Sequence, residues 1–309
     1  MKRVFIISLF ALTLLAGRMT TACTETIDLR NDGMEPMLVI NCILTDTIME
    51  RNRQFVDENR VIILKTARYF NDEFPQRVNG AKVWLNSELL RMVAPGTYAP
   101  EDGFSAIPGE TYTLEVHYDA DGDGIDEIYT ATTTVPPKYR LDSTTIVPLP
   151  ITREFSALLT LNFMDSLKYK YFAVKVDNEN EVDFYSSRIL RYGLFSFDSP
   201  SDNEDYRRMP ILDPVFVIRH EMAYDKGDTY YIYAGDTLSV QLDVLSPEYY
   251  QFLEMAKMVL SHNNPLFSGP RSNIPANITG GALGVFGSYT FSRALVQIPI
   301  DTPGMPKRQ

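Results

Sequence analysis

The sequence predicts a mainly β protein built as two β-sandwich-like domains, with one short helix in the second. Three observations carry this. Short runs rich in β-branched and aromatic residues recur along the chain, bounded by turn residues. Helical periodicity is confined to one stretch near residues 247–260. The composition is globular: 309 residues, 45% hydrophobic and 22% charged. With two cysteines and three histidines, a disulfide framework and a Cys-rich metal site are excluded by count.

The chain opens with Lys2-Arg3 before an apolar run, Val4 to Leu15, then Ala16-Gly17. The run is too short to span a bilayer, which needs ~20 residues, and has the length of a signal-peptide core. Residues 1–22 are therefore expected to be a signal peptide. The following Thr20-Thr21-Ala22-Cys23 places a small residue directly before a cysteine, the arrangement in which Cys23 is acylated and becomes the new N-terminus. The usual pattern has Leu where Thr20 stands, so cleavage after Ala22 by an ordinary signal peptidase stays open beside it. Residues 23–36 would be a lipidated tether, and two acyl chains suffice for stable anchoring. Losing residues 1–22 removes Lys2, Arg3 and Arg18 and no acid, leaving 26 basic and 40 acidic residues. That balance argues against a nucleic-acid partner, which wants a basic face. It suits an acidic body held off a membrane by its anchor, in the cell envelope, with the periplasmic and surface faces equally open.

The first domain is expected over 37–137. Its strands are Met37–Leu44, Val61–Thr66, Ala81–Leu85, Thr111–Tyr118 and Ile128–Val135. In Thr111–Tyr118, Tyr112, Leu114, Val116 and Tyr118 share one face. Cys42, inside an apolar run, reads as a small core residue. Val135-Pro136-Pro137 ends the last strand, because proline cannot donate into a ladder. The second domain, 138–309, offers strands at Ser156–Met164, Lys170–Val176, Val215–His220, Thr229–Tyr233 and Thr237–Val244, with an exposed loop over Asp198–Pro210. Ser246 caps the helix, Pro247 suits its first turn, and Glu248 favours the positive end of its dipole. Asn263-Asn264-Pro265 stops it. The glycine-dense Asn277–Gly287 reads as a tight turn and a closing strand. Sandwiches of the immunoglobulin or transthyretin kind are the expected architecture.

Several pieces occur together in order: Cys23–Asp28 with Pro36–Ile40, Gly80–Val83, Pro108–Leu114, Ala131–Pro137, Ser246–Tyr250 and Asn277–Phe286. In this combination the chain resembles the Bacteroidota lipoprotein family called domain of unknown function 4249, over nearly all of the chain beyond the signal peptide. The glycine-rich Asn277–Phe286 segment is the most specific piece. The resemblance implies an outer-membrane lipoprotein, often encoded near TonB-dependent receptors, so an outer-membrane β-barrel receptor is the expected partner. It implies no catalytic residue.

Asp119-Ala120-Asp121-Gly122-Asp123-Gly124-Ile125-Asp126-Glu127 has alternating carboxylates and glycine, as in the first half of an EF-hand loop. Thr130 stands where that loop has its bidentate Glu, so Asp126 or Glu127 would have to substitute. Asp119, Asp121, Asp123, Asp126 and Glu127 are thus candidate ligands for a structural calcium. The same residues also read as a plain acidic hairpin turn, since Asp-Gly favours hairpins. No other cofactor is expected. His117, His220 and His262 lack metal-ligand spacing. Gly-x-Ser-x-Gly, His-Glu-x-x-His and a phosphate-cradling loop are missing from the sequence. Tyr224, Tyr230, Tyr231, Tyr233, Tyr249 and Tyr250 read as packing residues, a sugar platform being the minor alternative. The expectation is a non-catalytic envelope lipoprotein serving an outer-membrane transporter. Its alternatives are a surface-assembly or adhesion subunit and, behind it, an enzyme acting on glycan or peptide.

Overall fold

Alternating burial marks strand after strand in the computed structural model. It describes residues 36–46, 59–66, 74–148, 156–163, 171–178, 189–196, 208–210, 218–219, 221–223, 229–261, 274, 276–302 and 306–307. The early strands are β1 (Leu38–Thr45), β2 (Val61–Lys65), β3 (Gln76–Arg77), β4 (Lys82–Leu85), β5 (Glu88–Leu89), β6 (Arg91–Ala94), β7 (Thr97–Ala99), β8 (Thr111–Tyr118) and β9 (Glu127–Thr134). Then follow β10 (Leu141–Pro148), β11 (Ser156–Phe163), β12 (Tyr171–Asn178), β13 (Ile189–Ser196), β14 (Arg208–Pro210), β15 (Ile218–Arg219), β16 (Glu221–Ala223) and β17 (Thr229–Tyr231). Last come β18 (Thr237–Leu245), helix α1 (Pro247–Ser261) and β19 (Leu283–Gln297). The protein is mainly β, as the sequence predicts.

A nine-stranded sheet runs β13-β12-β18-β19-β1-β2-β7-β6, with β3 beside β2. The β1–β19 pair is parallel, Val39 opposite Leu283 through Thr45 opposite Tyr289. β19 then continues antiparallel to β18, from Tyr289 opposite Leu245 to Gln297 opposite Thr237. One long strand therefore joins two wings of the sheet. Four further strands form a second sheet, β5-β4-β8-β9. It packs on the first wing, where Ile40, Leu44, Val61, Ile63 and Tyr98 meet Val83, Leu85, Leu114, Val116 and Tyr129 in one core. That is sandwich packing. Cys42 lies in this core, and burial pushes its thiol well above the ordinary value.

The sheet overturns the expected division at residue 137. β1 and β2 precede that point and β19 follows it, yet they are neighbours in one sheet. The described residues belong to a single compact unit, Pro36–Ala67 with Phe74–Gln309. Pro136-Pro137 follows the end of β9, and strands from both sides of it share one sheet, so it ends a strand without dividing domains. The expected loop Asp198–Pro210 also needs correction at its end, since Arg208–Pro210 pairs with β11; 198–207 lie outside the described residues. So do residues 1–35, His220, Tyr224 and 262–273.

The helix caps as its sequence says. Ser246 Oγ accepts from Tyr249 N at 3.4 Å and Ser246 O accepts from Tyr250 N at 2.9 Å. Its apolar side settles on Ala173, Leu245 and Tyr289. Tyr250 is buried there, its ring 4.7 Å from that of Tyr171.

Candidate functional site

The β8–β9 hairpin forms in the register its alternation predicts, Tyr112 opposite Thr133 through Tyr118 opposite Glu127. Its connection is the acidic segment. Four of the five candidate carboxylates converge: Asp119, Asp121, Asp123 and Glu127 each bring one oxygen within 4.8 Å of the others. Asp126 does not join them. It turns away to Lys82, with Oδ2 2.9 Å from Nζ. Of the two residues that could replace the missing bidentate Glu, the fold selects Glu127. Thr130 belongs to β9, its Oγ1 2.7 Å from Thr279 Oγ1.

The carboxylates also fold the turn. Asp119 Oδ1 accepts from Gly122 N at 2.6 Å and Oδ2 from Gly124 N at 2.9 Å. Asp121 Oδ1 accepts from Asp123 N, Asp123 Oδ1 from Ile125 N, and Glu127 Oε2 from Ala120 N. Five backbone donors are thereby satisfied without a cation, as side-chain-closed turns do. The remaining lone pairs are hard oxygen donors of the type that calcium takes. The charge reaches the core: burial first, then the negative Glu127 and Asp121, push the Tyr129 phenol above its ordinary value.

The opposite end of the same sheet carries a feature that the sequence reading missed. A groove of about 620 Å³ is lined by Trp84, Asn86, Ser87, Thr111, Thr113 and Glu115. Val83 and Leu85 point into the core, so Trp84 between them faces outward. That alternation, in the strand holding the chain's single tryptophan, was the available signal. His117 Nε2 lies 2.6 Å from Glu115 Oε1, and its ring centroid lies 4.6 Å from that of Trp84. His117 is thus a half-buried, partnered side chain on the outward face.

The glycine-rich segment has a structural use. Asn277 Nδ2 donates to Phe286 O at 2.7 Å, and its Oδ1 accepts from Phe286 N at 2.9 Å, closing the turn into β19. Thr279 N donates to Thr130 O at 2.8 Å, tying that turn to β9. Of the tyrosines, Tyr249 and Tyr250 pack against the sheet, Tyr233 is half-buried, and Tyr230 and Tyr231 lie in β17.

Comparison with known families gives one match: the family model described as Domain of unknown function (DUF4249) covers residues 24–294. No curated protein matches the chain.

Proposed function

The chain belongs to the family described as Domain of unknown function (DUF4249), and from that premise we propose that it is a non-catalytic, lipid-anchored cell-envelope protein that works as a binding or accessory partner of an outer-membrane TonB-dependent transporter. The observation that carries the reading is the position of Cys23. The family match starts at residue 24, directly after this cysteine, and the first strand starts at Leu38. In this proposal residues 24–37 would be the tether, and fourteen residues span at most roughly 50 Å of contour. Among the described residues no helix is long and apolar enough to cross a membrane; the proposed attachment is the acylated Cys23. The acidic turn serves the body as a hairpin closure, and a structural calcium at Asp119, Asp121, Asp123 and Glu127 would tighten it.

The test is fractionation with capture. Cys23→Ala should leave the membrane fraction, and the wild-type protein solubilised from membranes should bring down a β-barrel receptor. A variant that resists a salt wash, or repeated captures without a barrel, would overturn the reading.

One observation favours a second reading, a surface-assembly subunit. Among the described residues β6 ends the nine-stranded sheet, and all four of its residues are exposed, Met92 and Val93 among them. A free apolar edge is a template for a further strand. Self-association in sedimentation experiments would support that role, and a monomer at high concentration would dismiss it.

A further inference from the structure

We propose that the groove on the outer face of the β5-β4-β8-β9 sheet is a binding site for a neutral saccharide. The argument begins with its lining. Trp84 supplies the one aromatic surface; Asn86, Ser87, Thr111, Thr113 and Glu115 supply hydroxyl, amide and carboxylate groups. A sugar presents an apolar C–H face and a rim of hydroxyls, and an amphipathic ring beside placed polar groups matches both. Charge selects among polyhydroxylated ligands. Glu115 is the one ionisable side chain in the lining, and neither lysine nor arginine is among the lining residues, so phosphates, sulfates and uronates would meet a carboxylate and find no guanidinium or ammonium in the lining to pair with. Glu115 is itself oriented by His117, which leaves its second oxygen for a ligand hydroxyl.

The rim is built with strain. Asn86 and Ser87 form the two-residue turn between β4 and β5, and both have positive φ, 48° and 68°. Such a turn takes Asn readily at its first position and strongly prefers Gly at its second. Ser87 instead keeps a hydroxyl in the left-handed region, on the groove. Asn86 is locked by its Oδ1, which accepts from Thr113 N at 2.7 Å, so its carboxamide NH₂ is held at a fixed place as a donor. A residue that opposes its own turn conformation while lining a groove points to use of its side chain.

This inference goes beyond the anchoring and partnership proposed above and does not depend on them. Trp84 is the only tryptophan in 309 residues, so intrinsic tryptophan emission reports on this groove alone. The full chain, purified in a sugar-free zwitterionic detergent, is titrated with neutral oligosaccharides: cellohexaose, maltoheptaose, mannohexaose, xylohexaose and chitohexaose. Polygalacturonate is the anionic control. The expected result is a saturable emission change with at least one neutral sugar and none with the control. Glu115→Gln should weaken binding by about tenfold, the loss of one charge-assisted hydrogen bond. Ser87→Gly should raise the melting temperature and still weaken binding, an outcome that a merely structural turn would not give. Trp84→Ala, read by isothermal titration calorimetry with the same oligosaccharides, should bind none of them; Trp84→Phe covers the case in which the alanine variant does not fold. No saturable change with any of the five sugars would overturn the proposal, as would affinity unaltered in folded Glu115→Gln and Ser87→Gly. No transporter enters this assay, so its failure would leave the partnership reading standing, and the reverse holds.

Discussion

Gly284 is the residue on which the parallel β1–β19 pair depends. Its φ is +107°, and a Cβ added there would lie 2.1 Å from Ile40 O and 2.8 Å from Asn41 Oδ1. Carbon and oxygen pack at roughly 3.5 Å, so β1 and β19 would have to part by about an ångström. Asn41 Oδ1 accepts from Val285 N at 3.3 Å beside this point, and parting the strands disturbs that bond too. Gly281 is the internal control: its φ is +83°, and nothing lies within 4 Å of an added Cβ. Replacing either with Ala carries the left-handed cost of about 1–2 kcal/mol. Only Gly284→Ala adds overpacking, about 1–3 kcal/mol. At roughly 2–4 °C per kcal/mol for a chain of this size, Gly284→Ala should melt roughly 2–12 °C below Gly281→Ala. Circular dichroism melts of the two variants and the wild type decide it. Equal melting temperatures, or a lower one for Gly281→Ala, would refute the close approach of β1 and β19.

Three further outcomes are expected. Millimolar Ca²⁺ should stabilise the protein by about 1 kcal/mol and lose its effect in Asp121→Ala with Asp123→Ala; the same melting in calcium and in chelator would leave a plain acidic turn. In Cys23→Ala protein, where Cys42 is the sole thiol, iodoacetamide should label the denatured chain and spare the native one, because Cys42 is buried with a raised pKa; equal labelling would take Cys42 out of the core. Tyr98 donates to Val78 O at 3.2 Å and accepts from Ala81 N at 3.1 Å, and burial raises its pKa although backbone N–H groups lower it. A raised folded value means that its stabilisation is full below the ordinary tyrosine pKa of ~10 and is lost as pH rises through the folded one. Tyr98→Phe should therefore lose stability less steeply in alkali than the wild type in denaturant titrations, and identical alkaline profiles would argue against the assignment.

What the sequence made legible was local. The strand Thr111–Tyr118 alternates so strictly that its faces and its partner β9 could be read together. The capping Ser246 and the single helical period fixed α1. Neighbours in space that are remote in the chain left no such trace. Nothing in Val39–Thr45 says that its partner is Leu283–Tyr289, some 240 residues on, because a mostly apolar strand fits any buried slot. The error at residue 137 has the same origin: a proline pair reports where a ladder stops, and says nothing of which sheet the next strand enters. The candidate site divided likewise. Convergence of Asp119, Asp121, Asp123 and Glu127 follows from their spacing, whereas the loss of Asp126 depends on Lys82 across the sheet. Trp84 and Asn86 became a site only when β4 and β8 were seen side by side.

Asn277–Phe286, the glycine-rich segment that leads into β19, puts its asparagine and threonine to work in the fold. Asn277 closes on Phe286, Thr279 is fastened to Thr130, and Gly284 admits the β1 backbone. Gly287 extends the same logic, since a Cβ there would lie 2.6 Å from that of Tyr249 and the helix could not settle on β19. The segment builds an architecture: a long strand that joins two wings and seats a helix. A binding surface, by contrast, is one that the architecture holds steady without consuming it. The outward face of β4 and β8 fits that description, with a strained serine, a fixed amide, an oriented carboxylate and the chain's one indole on rigid strands. None of the groove's six lining residues belongs to the Asn277–Phe286 segment, so the face and the closing turn can be altered independently.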